Sequence, residues 1–172
     1  YIQESKKQEF ITAFIDRTKK LKIGNGMDEG TQLGPLTTSK RLAEIEDLVE
    51  ITKKEGAKVL LGGKRPPGFN KGFFYEPTVF DEVKDNFTIM SQEPFGPLVP
   101  MLSFKSFDEV IERANNNDLG LCSYIYTNSM DKANRASELM ETGTVAVNTH
   151  QVPLAEAPVS YTHLRAHETT DN

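Results

Sequence analysis

Apolar residues recur at three- and four-residue spacing in two stretches of the chain, a pattern typical of amphipathic helices. The first stretch predicts a helix from Gln3 to about Leu21, followed by a glycine-rich loop over residues 24–35. The second predicts a helix with an N-cap at Thr37, Thr38 or Ser39 and a C-cap at Gly56. Its apolar stripe consists of Leu42, Ile45, Leu48, Val49 and Thr52.

Short apolar runs in the rest of the chain predict strands. One run is Ala57–Leu61. A second, Phe73–Phe80, is interrupted by Pro77, which favours an edge position or an irregular extension because proline cannot donate to a ladder. From Leu98 to Val147 strands and helices alternate, which indicates parallel pairing through right-handed crossovers and an α/β fold. The expected order is a strand over 98–104, a helix over 107–114, a strand over 121–126, a helix over 133–140 and a strand over 144–147.

Composition and charge exclude several functional classes. The 172 residues, 37% hydrophobic and 26% charged, suffice for one globular domain with its own core. A net charge of -5, without a run of Lys or Arg longer than two, argues against nucleic acid as a partner. The apolar runs are a few residues long, whereas a membrane span needs roughly 20. The single cysteine, Cys122, rules out an internal disulfide, and these features together predict a soluble, cytoplasmic protein.

Three features are compatible with a phosphate-binding loop, a nucleophile or a metal site, but each has a simpler explanation. The glycines between positions 24 and 30 miss the GxGxxG phosphate-loop spacing by one place and follow a helix, so a structural turn is favoured. Cys122 lies in an apolar strand without a nearby cationic residue to stabilise a thiolate, which favours a buried, inert thiol over a nucleophile. His163 and His167, beside Glu168, have the spacing of metal ligands, but a third strong ligand site is missing, so chance spacing or an artificial tail is favoured.

The segment Ser91–Pro97 is the strongest candidate for a functional site. Its residues Glu93 and Phe95 flank Pro94, and a second proline after Gly96 stiffens the backbone further. In an extended segment alternate side chains share a face, so the carboxylate and the ring are expected to point the same way. Such a pair can bind a nucleotide sugar, the carboxylate accepting hydrogen bonds from ribose hydroxyls and the ring contacting the sugar or nicotinamide. A rigid structural loop is the alternative that the residues alone leave open.

Ser91–Pro97 resembles the Glu-x-Phe-Gly-Pro motif of the aldehyde dehydrogenase superfamily, and further segments in the same order strengthen the resemblance. These are Tyr1–Ser5, Leu21–Gly26 followed by Gly34–Leu36, Gly56–Gly63, Phe73–Val79, Asn115–Leu121 and Gly143–Asn148. Order and spacing agree from Tyr1 to about Pro158. The resemblance implies that residues 1–158 are a truncated portion of that family's catalytic domain, an α/β fold with a parallel sheet and helices on both faces.

The resemblance also implies an activity and a cofactor. In this family a cysteine thiolate adds to an aldehyde, a hydride passes to NAD or NADP, and water hydrolyses the thioester to the acid. The nucleophilic cysteine and the basic glutamate precede the positions that match Tyr1, so no catalytic residue is expected in this chain. Glu93 and Phe95 are the expected cofactor-binding residues. A small-molecule aldehyde is the implied substrate, and the parent protein is expected to be a homodimer or homotetramer.

Finer expectations concern the branch of the family and the ends of the chain. Val147–His150 and Ala155–Pro158 look closest to the succinate-semialdehyde dehydrogenase branch. Residues 159–172 depart from the family and are expected to form a disordered or artefactual tail. The first residue is Tyr1 rather than Met, which indicates a processed chain or a piece of a longer one. We expect a fragment that is inactive alone, because it has no nucleophile and no complete cofactor site. The alternative from another class is a non-catalytic binding or scaffold relative that kept the fold without the active site.

Overall fold

The structure is a computed structural model that describes residues 1–151. The chain divides into two compact units, one formed by residues 1–104 and the other beginning at residue 105. The tail predicted over residues 159–172, with its two histidines, lies outside the described residues. Within residues 1–151, none of the helices combines the length and the apolar character that crossing a membrane requires.

The chain opens with a short strand rather than with the predicted helix. Strand β1 (Ile2–Gln3) pairs in parallel with β5 (Ser103–Phe104), and the Ile2 N–H donates to the carbonyl oxygen of Leu102 at 2.8 Å. A 3-10 turn follows, and helix α1 covers Lys7–Thr18. The helix predicted from Gln3 to Leu21 is therefore confirmed in its centre and wrong at both ends. Its first residues pair with a strand a hundred positions away, for which the local sequence carries no signal.

Helix α2 (Ser39–Lys54) agrees closely with its prediction. Of the three N-cap candidates, Thr38 is the N-cap, and its hydroxyl oxygen accepts a hydrogen bond of 3.0 Å from the Arg41 N–H. Gly56 follows the last turn with a φ of 108°, a backbone conformation that glycine adopts without a Cβ penalty. All five residues of the predicted apolar stripe are buried, so this face of α2 forms part of the core.

A three-stranded sheet forms the centre of the first unit. Its strands are β2 (Lys58–Leu61), β3 (Thr78–Asp81) and β4 (Leu98–Pro100), with β3 between an antiparallel β2 and a parallel β4. The expected edge position for the run containing Pro77 is wrong, whereas the irregular extension before the strand is observed. Pro77 stands one residue before β3, so its missing N–H removes no bond from the ladder.

Helices cover both faces of this sheet, as expected. Neighbouring residues of a strand point to opposite faces, and Val79 and Phe80 of β3 belong to two different apolar clusters. Phe80 packs with the buried stripe of α2, whereas Val79 packs with Ile11 of α1. Both strand residues are fully buried. The predicted strand over 98–104 is interrupted between β4 and β5, where Met101 and Leu102 are also buried.

The second unit contains two helices and two strands. These elements are helix α4 (Phe107–Asn115), strand β6 (Cys122–Ile125), helix α5 (Met130–Leu139) and strand β7 (Thr144–Val147). Strands β6 and β7 pair in parallel with α5 as their connection. A short helix of the first unit, α3 (Thr88–Ser91), completes the elements. The α/β class is therefore confirmed, and the strands of residues 1–151 form three separate sheets.

Candidate functional site

The candidate segment Ser91–Pro97 begins at the last residue of α3, and its residues 92–97 join α3 to β4. Its start is fixed by Glu55, the C-cap residue of α2. Both carboxylate oxygens of Glu55 accept from the Thr88 N–H at 3.0 Å, and one accepts from the Thr88 hydroxyl at 2.6 Å. A partly buried carboxylate with a backbone and a hydroxyl donor forms strong, charge-assisted hydrogen bonds. The last turn of α2 therefore anchors the helix that leads into the segment.

The backbone of the segment turns tightly twice before it enters the sheet. The Gly96 N–H donates to the Pro94 carbonyl oxygen at 2.7 Å, and the Leu98 N–H donates to the Gly96 carbonyl oxygen at 2.8 Å. Each of these bonds closes a three-residue turn. The Pro97 carbonyl oxygen accepts from the Thr78 N–H of β3 at 2.8 Å, which connects the segment to the central strand.

Gly96 is the point at which the segment lies closest to α2. A Cβ atom built at this position would be 2.5 Å from Cδ1 and 2.8 Å from Cγ1 of Ile45. Ile45 is only 1% exposed and has little room to move aside. Glycine is therefore required here because the backbone packs closely against the Ile45 side chain. Its backbone conformation is not the reason, because its φ is not in the left-handed region.

Glu93 and Phe95 are both exposed to solvent, as a ligand-contacting pair requires. The Phe95 ring is 40% exposed, and the guanidinium carbon of Arg41 lies 5.3 Å from its centroid, within cation–π range. Arg41 in turn forms an ion pair of 2.8 Å with Glu44. Within residues 1–151, the Glu93 carboxylate forms no hydrogen bond or ion pair. Arg41 was not predicted from the sequence, because a contact across more than fifty residues leaves no periodic or motif signal.

The other candidate groups are not assembled into a catalytic centre. Cys122 is half-buried in β6, and its Sγ lies 3.7 Å from the carbonyl oxygen of Ser123. A hydrogen bond with the Cys122 side chain raises the pKa of the exposed Tyr124 phenol. No group of three His, Cys, Asp or Glu side chains among residues 1–151 could hold a metal ion. Among residues 1–151, the exposed pair Glu93 and Phe95 stays the candidate for contact with a ligand.

The glycine-rich loop is a self-contained turn, as the sequence favoured. The Gly24 N–H donates to the Leu33 carbonyl oxygen at 3.0 Å, and the Gln32 N–H donates to the Lys22 carbonyl oxygen at 2.9 Å. These bonds join the two ends of the loop. A groove of about 530 Å³ runs along it, with Lys22, Asn25 and Lys71 in its walls and Phe69 and Phe74 beside them.

This α/β architecture, with an exposed carboxylate and ring ahead of a parallel strand, fits the catalytic-domain portion that the sequence resemblance implied. Comparison with known proteins identifies the family. The chain belongs to the aldehyde dehydrogenase family, whose model matches residues 1–161.

Two curated relatives illustrate the similarity in sequence. Aldehyde dehydrogenase 1A1 of Bos taurus is 42% identical over 158 residues, which are 92% of this chain and 31% of the relative. Retinaldehyde dehydrogenase 3 of Homo sapiens is 40% identical over 158 residues, 92% of this chain and 30% of the relative. The chain thus spans about a third of the length of these relatives.

Solved structures show the same fold. Betaine aldehyde dehydrogenase of Staphylococcus aureus, solved in complex with NAD+, is 36% identical with a TM-score of 0.88, over 91% of this chain and 32% of that one. The structure of 3,6-anhydro-L-galactose dehydrogenase in complex with NADP is 40% identical with a TM-score of 0.86, over 90% and 33% of the two chains. Such scores at such identities show the aldehyde dehydrogenase fold for the portion compared.

Proposed function

We propose that this chain is part of an NAD(P)-dependent aldehyde dehydrogenase and that Glu93 and Phe95 contact the cofactor. The observation that carries the proposal is the exposed Glu93 carboxylate on a segment anchored at both ends, by Glu55 at α3 and by Thr78 in β3. A preorganised segment loses little conformational entropy when a ligand binds. Membership of the family and its similarity to proteins solved with NAD+ and with NADP support the choice of cofactor.

The side chains of the segment fit a nucleotide sugar. An ionised carboxylate offers about four acceptor sites and can take two neighbouring ribose hydroxyls at once. Phe95, two residues further along the segment, offers an aromatic ring that is partly exposed, and the Arg41 guanidinium lies over that ring. When bound, the nicotinamide supplies the acceptor for the hydride of the aldehyde. The contribution of Glu93 and Phe95 is to hold and orient that group.

The nucleophile of the reaction lies outside this chain in our proposal. Cys122 is half-buried in a strand, and a reactive cysteine needs an accessible, stabilised thiolate. Replacing Cys122 with Ser in the full-length protein should therefore leave turnover unchanged. The 172-residue chain alone should show no NAD(P)-dependent oxidation of any aldehyde. Turnover by the pure chain, abolished by alkylation of Cys122, would contradict this assignment.

The substrate within the aldehyde class is a finer proposal. The resemblance of Val147–His150 to the succinate-semialdehyde branch favours a semialdehyde, whereas two of the relatives described above are named for retinaldehyde and for betaine aldehyde. A panel of these three aldehydes, compared by kcat/KM, decides between them. We further propose a cytoplasmic homodimer or homotetramer; other relatives include proteins named as cytosolic aldehyde dehydrogenases.

The proposal is tested by direct binding of NAD+ and NADP to the full-length protein, measured by calorimetry. Glu93→Gln removes a charged acceptor and should weaken binding by roughly tenfold to a hundredfold, with a matching rise in the cofactor KM. Phe95→Ala should also weaken binding. Glu138→Gln, an exposed carboxylate on α5, serves as the control and should have no effect. Unchanged cofactor affinity in both segment variants would overturn the assignment of the site.

A further inference from the structure

The glycine-rich loop contains the pair Asn25-Gly26, and Asn25 is the one asparagine of the 172-residue sequence that precedes a glycine. Every other asparagine is followed by a residue with a side chain or ends the sequence. A glycine places no Cβ next to the backbone nitrogen, so that nitrogen can come close to the side chain of the preceding residue. This makes the pair a candidate for an intramolecular reaction of the asparagine amide.

The geometry of the loop leaves the reacting groups accessible. Asn25 and Gly26 are exposed, and a Cβ built on Gly26 meets nothing within 4 Å. Within residues 1–151 the Gly26 N–H has no hydrogen-bond acceptor, so its nitrogen is not held away from the side chain. The Asn25 Oδ1 accepts from the Met27 N–H at 3.0 Å. Negative charge develops on that oxygen when a nucleophile adds to Cγ, and a donor already in place stabilises it.

We propose that Asn25 is a site of spontaneous deamidation in the folded protein. The Gly26 nitrogen gives up its proton to solvent and bonds to Cγ of Asn25, and the bond between Cγ and Nδ2 breaks with release of ammonia. The resulting five-membered succinimide is opened by water. Attack at Cγ leaves an ordinary carboxylate at position 25, and attack at the backbone carbonyl carbon leaves an isoaspartyl linkage. The overall change consumes one water and releases one ammonia.

The two products alter the loop in different ways. Either product places a negative charge in the groove whose walls contain Lys22 and Lys71. The isoaspartyl product also lengthens the backbone by one methylene and displaces the carbonyl to which the Asp28 N–H donates at 3.0 Å. Because the Gly24 N–H is bonded to the Leu33 carbonyl oxygen, the loop cannot absorb the extra length at its ends. The isoaspartyl form therefore loses the turn at positions 25–28.

The reaction is followed in the native 172-residue protein at mildly alkaline pH by peptide mapping. We expect a gain of one mass unit in the Asn25 peptide, on the order of tenfold faster than at the other asparagines, because only this one precedes a glycine. Isoaspartate-specific enzymatic methylation should label the same peptide. Asn25→Gln should abolish the change, and Gly26→Ala should slow it by a similar factor. Open space around Gly26 and its ordinary φ make that alanine compatible with the fold.

Asn115 is the matched internal control. Its amide nitrogen donates to the Leu139 carbonyl oxygen at 2.7 Å, and its Oδ1 accepts from the Glu141 N–H at 3.0 Å. It should stay intact over the same period. Equal rates at Asn25 and Asn115 would overturn the proposal. So would deamidation at position 25 that occurs only after unfolding in denaturant, since the native turn would then protect the amide.

Discussion

Gly96 shows how a single atom can control the candidate segment. An added Cβ would lie 2.5 Å from a terminal carbon of Ile45, a fully buried residue of α2. We expect Gly96→Ala to lower the free energy of unfolding by about 1–3 kcal/mol, because overpacking forces buried side chains and backbone to shift. The shift would also displace Phe95, the neighbouring residue. Urea denaturation of the variant and the unaltered protein measures the effect.

Gly26→Ala is the matched control for that substitution. It adds the same methyl group at a position where nothing lies within 4 Å. We expect a change between zero and about 1 kcal/mol of stabilisation, because alanine restricts the unfolded state more than glycine does. If the two variants had equal unfolding midpoints, the close approach of Gly96 to Ile45 would not be a constraint on the fold.

Tyr75 makes stability depend on alkaline pH. Burial raises the pKa of its hydroxyl to about 12, and the carboxylates of Glu46, Glu50 and Glu76 add to the shift. The unfolded state releases this proton near a pKa of about 10, so the folded state holds it more tightly between those values. The contribution of Tyr75 to stability is therefore complete below about pH 10 and is lost as pH rises towards 12.

Tyr75→Phe removes the titrating group while it keeps the ring in the core. We expect the free energy of unfolding of this variant to fall less steeply above about pH 10 than that of the unaltered protein. Urea midpoints at a series of alkaline pH values give the comparison. Tyr126→Phe, at a ring that is 65% exposed, is the control and should follow the unaltered protein. Parallel curves for all three proteins would show that Tyr75 titrates normally.

At the residue scale, the sequence could indicate the candidate pair but not its surroundings. Glu93 and Phe95 were predicted from a motif resemblance and from the two prolines that stiffen their segment. Their exposure agrees with that role, which stays a prediction. Arg41 beside the Phe95 ring, and Glu55 beneath α3, are contacts between residues more than thirty positions apart. Such contacts depend on how the elements pack, which no local pattern records.

At the element scale, local signals sufficed wherever an element is defined by its own cap and its own apolar stripe. Helix α2 has both: its buried face and C-terminal glycine were predicted, and its N-cap Thr38 was one of three candidates. Strand β3 was misplaced because the sequence shows Pro77 but does not show that the ladder begins after it. Strand β1 was missed because only pairing with β5 defines it. The antiparallel β2–β3 pair depends on such distant pairing too.

The contact between α2 and α3 predicts a test at this scale. Thr88→Val removes the hydroxyl that donates to Glu55 at 2.6 Å but keeps the backbone N–H bond. We expect a loss of about 1.5–3 kcal/mol in the free energy of unfolding, because the bond involves a charged acceptor in a partly buried place. Thr88→Ser keeps the hydroxyl and should restore most of this stability. The measurement is chemical denaturation of the two variants and the unaltered protein.

The same pair of variants separates positioning from mere stability. If α3 positions the Glu93 carboxylate, Thr88→Val in the full-length protein should raise the cofactor KM while kcat changes little at saturating cofactor. Thr88→Ser should return the KM towards its original value. A loss of stability without any change in the cofactor KM would mean that Glu55 supports the fold and not the segment.

At the scale of the whole molecule, the two units differ in the size of their cores. The first contains two apolar clusters with large buried side chains such as Phe80, Ile45 and Val79. Within residues 105–151 the buried hydrophobic residues are Ala133, Ala136 and Ala146. Alanine buries little apolar area, and hydrophobic stabilisation scales with that area. The sequence shows two strand-helix patterns but does not show this imbalance, because apolar residues such as Leu139 stay exposed.

This imbalance predicts where the protein opens first. Local stability follows the number of buried apolar contacts. The amides of β6 and β7 should therefore exchange with deuterium at least roughly tenfold faster than those of β3. A tenfold ratio corresponds to a difference of about 1.4 kcal/mol in the free energy of local opening. Hydrogen exchange followed by mass spectrometry on the 172-residue protein measures both at once, with β3 as the internal reference. Equal protection in β3 and β7 would mean that the alanine core of residues 105–151 packs as stably as the larger one. If the chain is part of a longer enzyme, as proposed above, exchange in β6 should slow in the full-length protein, because further residues could cover the exposed Tyr124.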